Sequence, residues 1–420
     1  MTKIQNSNIP VYHPKKKVLP LSKEGALGSN TNNSVVSKKS SHNQDVTFTP
    51  FKAYFYRLHL RKLYNVKHPY CSIKTRFEVR KKRISGCGCR PIETNKDIDV
   101  VKGEKGNVYL TNLQKCGSVW ICPVCLIKLN KHKLEWLKLT LDYHSDKKRK
   151  MSFNTLTIQH KGYERLEDIM SKLKSIYKTV SENHRLKEIK KQNKIEYIYT
   201  FEITHGVSGW HPHFHFVVVS KADNSSVKEY NQLFKSLYQK QIEKRGLLYK
   251  EGVTIDIKGV SNDKDIADYM TKQNAVYEIT SNQNKKSFKK GKNYLELVSD
   301  YIDNGVDHTS KLLEYSDATH RVRQHQTSRN FVPKNLKKMS NKTDEDVLRD
   351  DKLDYIIGTL TTAQMRFIIF NEIEDLFLSM IQEKPLNEVM DYFNIPSLIE
   401  RTETSYIQMR DLKINQAQWN

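Results

Sequence analysis

The sequence predicts an α+β fold: a ferredoxin-like antiparallel sheet in the order β-α-β-β-α-β, with helices on one face. Three observations carry this. Strand and helix periods alternate between Met151 and Gln273, two neighbouring strand segments are separated only by a glycine-bearing loop, and one of them places its apolar residues at every second position.

In order, Phe153 to Ile158 (FNTLTI) predicts the first strand, and the stripe Leu166, Ile169, Met170, Leu173, Ile176, Tyr177 and Val180 predicts a helix. Ile195, Tyr197, Tyr199, Phe201 and Ile203 alternate with Glu196, Thr200, Glu202 and Thr204, which marks a half-buried strand; Ile198 alone breaks the pattern. A loop holding Gly206 and Gly209 leads to a strand from His213 to Val219. Val227, Tyr230, Phe234, Leu237 and Tyr238 mark a second helix, and VTIDI (Val253 to Ile257) closes the sheet. Ser261 or Asn262 can then cap a helix running through Gln273.

Around this core the chain divides by composition. Residues 1–46 are Ser/Asn/Lys-rich without apolar period, too polar to offset ordering entropy, and are expected to be disordered. Residues 47–135 carry alternating aromatics and cations (FKAYFYRLHLRKLY) and then all six cysteines. They read as a basic DNA-binding surface or a solvated helix face, followed by a zinc segment. Residues 136–330 hold the sheet, with a polar loop expected at 281–296. Residues 331–420 are expected to form a helical appendage, with LDYIIGTL and AQMRFIIFNEIEDLFLSMI as helices.

The 71 Lys and Arg against 47 Asp and Glu leave a net charge of +24, a field that attracts polyanions and points to nucleic acid. With 37% hydrophobic residues and a mean hydropathy of −0.69, no stretch approaches the roughly 18 to 20 apolar residues that span a bilayer. A soluble, cytoplasmic protein without membrane partners is expected.

GWHPHFHFVVVS concentrates the chemistry. On a strand His213 and His215 share one face, and a hairpin with the preceding strand brings Glu202 beside them. Two imidazoles and a carboxylate suit a divalent ion, Mn²⁺ or Mg²⁺, that leaves positions open for phosphate oxygens. His211 has the same parity and is a reserve ligand, whereas His205 is read as a loop residue. In DKDIADYMTKQ, Asp265, Tyr269 and Lys272 fall on one helix face. A cation at Lys272 would help a phenol near pKa ~10 act as a nucleophile, and Asp265 could orient a water.

Cys116, Cys122 and Cys125 (CGSVWICPVC) follow Cys87 and Cys89, with Cys71 apart. The Cys122-x2-Cys125 knuckle, Cys116 and one of Cys87 or Cys89 make a closed, structural Cys₄ site for Zn²⁺.

HPHFHFVV resembles the His-hydrophobic-His motif of the HUH endonucleases, and residues from about 80 to 330 resemble the rolling-circle replication initiators of small bacterial plasmids. FNTLTI is similar to that family's first motif, HPHFHF to its second and IADYMTK to its third. The resemblance implies a sheet of the HUH type and a nucleophile at Tyr269 that nicks one strand of the plasmid origin. That cut would leave a 5′-phosphotyrosine and a 3′-OH that primes synthesis. It also implies a water-activating role for Asp265, which is Asp where one branch of the family has Glu, and it favours Cys87 as the fourth zinc ligand. The partners it implies are origin DNA, single-stranded and hairpin, with a host helicase and DNA polymerase. The competing readings are an HUH relaxase or transposase and a non-catalytic zinc-ribbon DNA-binding regulator.

Overall fold

The computed structural model describes residues 50–65, 83–103, 108–220, 224–258, 291–349 and 355–395. All belong to one unit, Asp45–Asn420. The expected unpacked tail at 1–46 and the expected helix ending at Gln273 lie outside the described residues.

Helix α1 (Pro50–Asn65) starts on a proline, whose missing N–H costs nothing in a first turn. Two of its cations are buried, while Lys62 stays exposed and pairs with Glu372. Arg57 and Arg61 are 1% and 6% exposed, and both are ion-paired to the buried Glu374. Arg61 also donates to the Cys87 carbonyl. The helix is covered on several sides, by Tyr56, Leu60 and Tyr64 in one core and Tyr54 in another, so two of its basic residues, Arg57 and Arg61, are internal.

Strands β1 (Ile98–Lys102) and β2 (Val108–Leu110) form an antiparallel pair. Helix α2 (Pro123–Asp146) follows with Cys122 as its N-cap and runs unbroken through residues 135 and 136, so the cysteine segment and the sheet region share one rod.

The central sheet contains β3 (Lys150–Leu156), β4 (Ile195–Gly206), β5 (Gly209–Ser220), β6 (Ile255–Lys258) and β7 (His325–Thr327). Its order is β6-β3-β5-β4-β7, all antiparallel. The four strands expected from the sequence therefore lie 4-1-3-2, and β7 extends the edge beside β4. Helices α3 (Leu166–Ser181), α4 (His184–Gln192) and α5 (Asn224–Lys244) complete the run. The apolar stripe of α3 and Tyr230, Phe234 and Tyr238 of α5 pack on Phe201, Ile203, Phe214, Phe216 and Val218.

Helices also cover the opposite face, contrary to the one-sided expectation. Trp136, Leu137 and Leu141 of α2 meet Met151, Phe153, Ile198, Val217 and Val219 there. This explains why Ile198 departs from the alternation: its neighbours Glu196 and Thr200 share its face, but Ile198 lies under the helix.

Between β4 and β5 the loop is only Val207 and Ser208, and Gly206 pairs with Gly209. Gly209 has φ +86°, and a Cβ there would stand 2.6 Å from the Gly162 carbonyl oxygen, so only glycine closes this hairpin against the loop before α3.

Helices α6 (Tyr294–Asp303) and α7 (Thr309–Ala318) precede β7. The first begins with a capping box between Asn293 and Glu296, inside what was expected to be loop. Short helices α8 (Lys337–Ser340) and α9 (Asp344–Arg349) lead to β8 (Tyr355–Leu360). The expected helix at LDYIIGTL is this strand, which pairs antiparallel with β1 into a second sheet, β2-β1-β8. Its Ile-Ile-Gly-Thr run suits extended backbone better than a helix. The long apolar segment after it breaks into α10 (Thr362–Phe370) and α11 (Glu374–Glu383) at Glu372, which has φ +59°, and α12 (Leu386–Tyr392) follows. Together they enclose a core of Val100, Leu110, Leu360, Ile368, Phe377 and Ile381. No described helix is long and apolar enough to cross a membrane.

Removing Glu374 leaves two buried guanidinium groups without their carboxylate. Glu374→Ala should cost about 3–5 kcal/mol in chemical denaturation. Replacing all three charges by Met, Met and Leu should recover most of that loss.

Candidate functional site

The four cysteines converge. Cys87 follows a 3-10 turn at Arg83–Gly86, Cys116 lies in the loop before α2, and Cys122 and Cys125 bracket the first turn of that helix. Their sulfur atoms all lie within 4.8 Å of one another and all four residues are buried. Cys87 Sγ is 3.6 Å from Cys122 Sγ and 3.7 Å from Cys125 Sγ, and Cys116 Sγ is 3.7 Å from Cys125 Sγ. Zinc–sulfur bonds of ~2.3 Å in a tetrahedron put sulfurs ~3.8 Å apart. The cluster thus can hold a metal ion such as zinc.

Cys89 is not in it, since its thiol faces the Ser85 and Cys87 carbonyls at 3.6 and 3.8 Å. Hydrogen bonds from Cys116, Cys122 and Cys125, with the Arg57 charge, hold the Cys87 thiol far below its usual range. Arg57 Nη1 is 4.0 Å from Cys87 Sγ. Gly88, at φ +70°, leaves room for this guanidinium, because a Cβ there would stand 2.5 Å from Nη1.

On the α2 side of the sheet, the β4–β5 register sets Glu202 opposite His213 and Thr200 opposite His215. Glu202 Oε2 lies 2.5 Å from His215 Nε2, while His215 Nδ1 meets Thr155 Oγ1 at 3.1 Å. Phe153 stacks on the His215 ring at 5.5 Å. The His213 ring stands 6.1 Å from that of His215. His213 Nδ1 is buried and lacks a hydrogen-bond partner among the described residues. Burial, only partly opposed by Glu202, pushes His213 down to about 4, so it is a neutral imidazole at pH 7.

His211 is held elsewhere: its Nδ1 is 2.9 Å from His160 Nε2. His205 belongs to β4 rather than a loop and packs edge-on against Trp210. Among the described residues the four cysteines are the group whose ligand atoms are already drawn together; Glu202, His213 and His215 share a face without that closeness. Tyr269, Asp265 and Lys272 lie outside the described residues.

Sequence reasoning passed over Lys133 and Thr155. Lys133, 3% exposed, extends from the buried stripe of α2 toward the sheet. Its ammonium is 3.5 Å from Thr200 Oγ1 and 3.4 Å from Gln324 Oε1, and burial lowers it to about 7. The signal was present: Leu126, Leu129, Lys133, Trp136, Leu137 and Leu141 keep helical spacing, with a lysine inside an otherwise apolar stripe.

Comparison with known proteins finds no matching family model and no matching solved structure. A curated protein named "Protein rep" from Streptomyces lividans is 24% identical over 150 residues, covering 29% of this chain and 33% of that protein. The chain thus spans about a third of the length of this relative, and the resemblance to a Rep protein is distant.

Freshly purified protein should contain about one zinc ion per chain by elemental analysis. Cys122→Ser/Cys125→Ser should lose it and lower the melting temperature, whereas Cys89→Ser should keep it. For Lys133, the unfolded chain retains a proton that the folded chain has released between pH of about 7 and 10.5, so this group makes stability rise with pH across that window. Lys133→Met should flatten that rise in urea titrations and be at least as stable as wild type at pH 7.

Proposed function

We propose that this chain is a strand-specific DNA endonuclease and strand transferase that starts rolling-circle replication of a plasmid, built on a ferredoxin-like sheet of the HUH endonuclease type. The observation that carries the reading is the trio Glu202, His213 and His215 on adjacent central strands, with His213 Nδ1 buried and unsatisfied among the described residues. The 4-1-3-2 strand order, the net charge of +24 and the distant similarity to a Rep protein support it.

Glu202, His213 and His215 would hold Mn²⁺ or Mg²⁺, which supplies Lewis-acid polarisation of the scissile phosphate. Thr155 orients His215 through the 3.1 Å contact of its Oγ1 with Nδ1, and the proton that Nε2 shares with Glu202 would be given up where the ion binds. Lys133 adds a desolvated cationic group on the same face, beside Thr200. In this reading the Tyr269 oxygen forms a bond to phosphorus as the P–O3′ bond breaks. The 5′-phosphate stays on the tyrosine, and the phenolic proton is transferred so that O3′ ends as a hydroxyl. Lys272 stabilises the attacking oxygen, and Asp265 orients the water that later frees the tyrosine. Attack by the 3′-OH in reverse rejoins the strand.

Incubation with a labelled single-stranded origin oligonucleotide tests the assignment. Wild type should form a covalent 5′ adduct mapping to Tyr269, and nicking should stop on chelation or in Glu202→Ala and His213→Ala. Tyr269→Phe should bind the DNA without cutting it. Thr155→Val should cost about 10- to 100-fold in metal affinity or nicking rate. Free 5′-phosphate without an adduct, or an adduct on Tyr277, would overturn the nucleophile.

A further inference from the structure

Beyond the Glu202–His213 pair the β4–β5 hairpin continues three more residue pairs, to His205 opposite Trp210. At ~3.4 Å per residue this places the His205–Trp210 pair roughly 10 Å along the strands from the Glu202–His213 pair. A cavity of about 420 Å³ opens there, lined on one side by Trp210 and His205 and on the other by Tyr163, Arg165, Lys311 and Glu314.

The internal hydrogen bonds define which groups remain to meet a ligand. Both oxygens of Glu314 are used: Oε1 accepts from the Leu166 backbone N–H at 2.7 Å and Oε2 from Trp210 Nε1 at 2.9 Å. Glu164, the other carboxylate at this cavity, accepts from the Lys161 backbone N–H at 2.8 Å and is ion-paired to Lys172. Both carboxylates thus brace the wall. Lys311 has no ion pair among the described residues, its ammonium lying 3.4 Å from His308 Nδ1, and Arg165 has only a 3.9 Å approach to Glu167, with its side chain 65% exposed. Tyr163 is 80% exposed, with the Lys161 ammonium 5.8 Å from its ring centroid. Cations beside an uncovered aromatic face meet the two needs of an unpaired nucleotide, phosphate neutralisation and base stacking. The wall is fixed in place, since Gly209 packs directly on the Gly162 carbonyl next to Tyr163.

We propose that this cavity is a binding site for one unpaired nucleotide of a DNA strand, its base stacked on Tyr163 and its phosphate held by Arg165 and Lys311. The proposal rests on the reading of the chain as a single-strand DNA enzyme and adds a second place where the strand is gripped, on the opposite face of the sheet from the trio. His205 and Trp210 stand on the α3 face of the sheet and the trio on the α2 face, so a strand gripped here would pass round the end of the hairpin before its neighbouring phosphates reach Glu202 and His213.

The test measures affinity for a short single-stranded origin oligonucleotide, and for free deoxynucleoside 5′-monophosphates, in wild type, Tyr163→Ala and Arg165→Ala/Lys311→Ala. Tyr163 and Arg165 are too exposed for their loss to unfold the protein, and a melting curve checks the double variant. Tyr163→Ala should weaken oligonucleotide binding roughly tenfold. The double variant should lower the slope of log affinity against log salt by about 0.7 for each phosphate that is no longer neutralised. Wild type should prefer the oligonucleotide over monophosphates. If wild type binds and nicks the oligonucleotide while both variants bind equally well, the cavity is not the site and the enzyme reading stands. Monophosphates binding as tightly as the oligonucleotide would also overturn the strand-grip proposal. If wild type neither binds nor nicks, both readings fall together.

Discussion

The register between β4 and β5 governs what this sheet can do. Twelve residue pairs run from Ile195–Ser220 to Gly206–Gly209. A slip of one residue would turn every side chain of a strand to the opposite face. Here both faces resist it: Phe201 and Phe214 are packed against the α3–α5 side, and Ile198 and Val217 against α2. The same register puts Glu202 and His213 across from one another and carries His205 and Trp210 to the far end. One hairpin therefore fixes the candidate catalytic trio and the cavity wall together.

Two kinds of buried positive group in the structure are treated in opposite ways. Arg57 and Arg61 share the carboxylate of Glu374, which lets α1, the Cys87 loop and α11 meet in a dry interior. Lys133 faces hydroxyl and amide oxygens, and burial, only partly opposed by the Asp344 charge, draws its pKa down to about 7. The first arrangement offsets part of the charge where parts of the chain join. The second leaves a group poised between its charged and neutral forms beneath the histidine face, an arrangement that stability alone does not favour.

The central sheet was legible in the sequence because its period is: β4 alternates at every position but Ile198, α3 repeats at helical spacing, and the glycines mark the turn. The convergence of Cys87, Cys116, Cys122 and Cys125 was readable from spacing as well, although choosing Cys87 over Cys89 needed the direction of a thiol. What stayed hidden depends on distant partners. Arg57 and Arg61 look like solvent-facing cations until Glu374, more than 300 residues later, folds onto them. The strand at Tyr355–Leu360 has too short an apolar run to be told from a helix without its partner β1. His211 has the parity of a ligand, but its tie to His160 comes from a loop whose path no periodicity reports.

The pairing of β1 with β8 joins Ile98 to Leu360, across most of the chain. On a ribosome, β1 emerges long before its second neighbour and must wait with one edge unpaired. The polypeptide leaves N-terminus first at ~5–20 residues per second, so that wait lasts on the order of tens of seconds. During it an open strand edge and two uncompensated guanidinium groups coexist in the nascent chain, a combination open to capture by chaperones or to mispairing with another copy. The topology that ties the late segment to the early one therefore makes completion of the β2-β1-β8 sheet and of the Arg57/Arg61 pairing wait for residues 355–374.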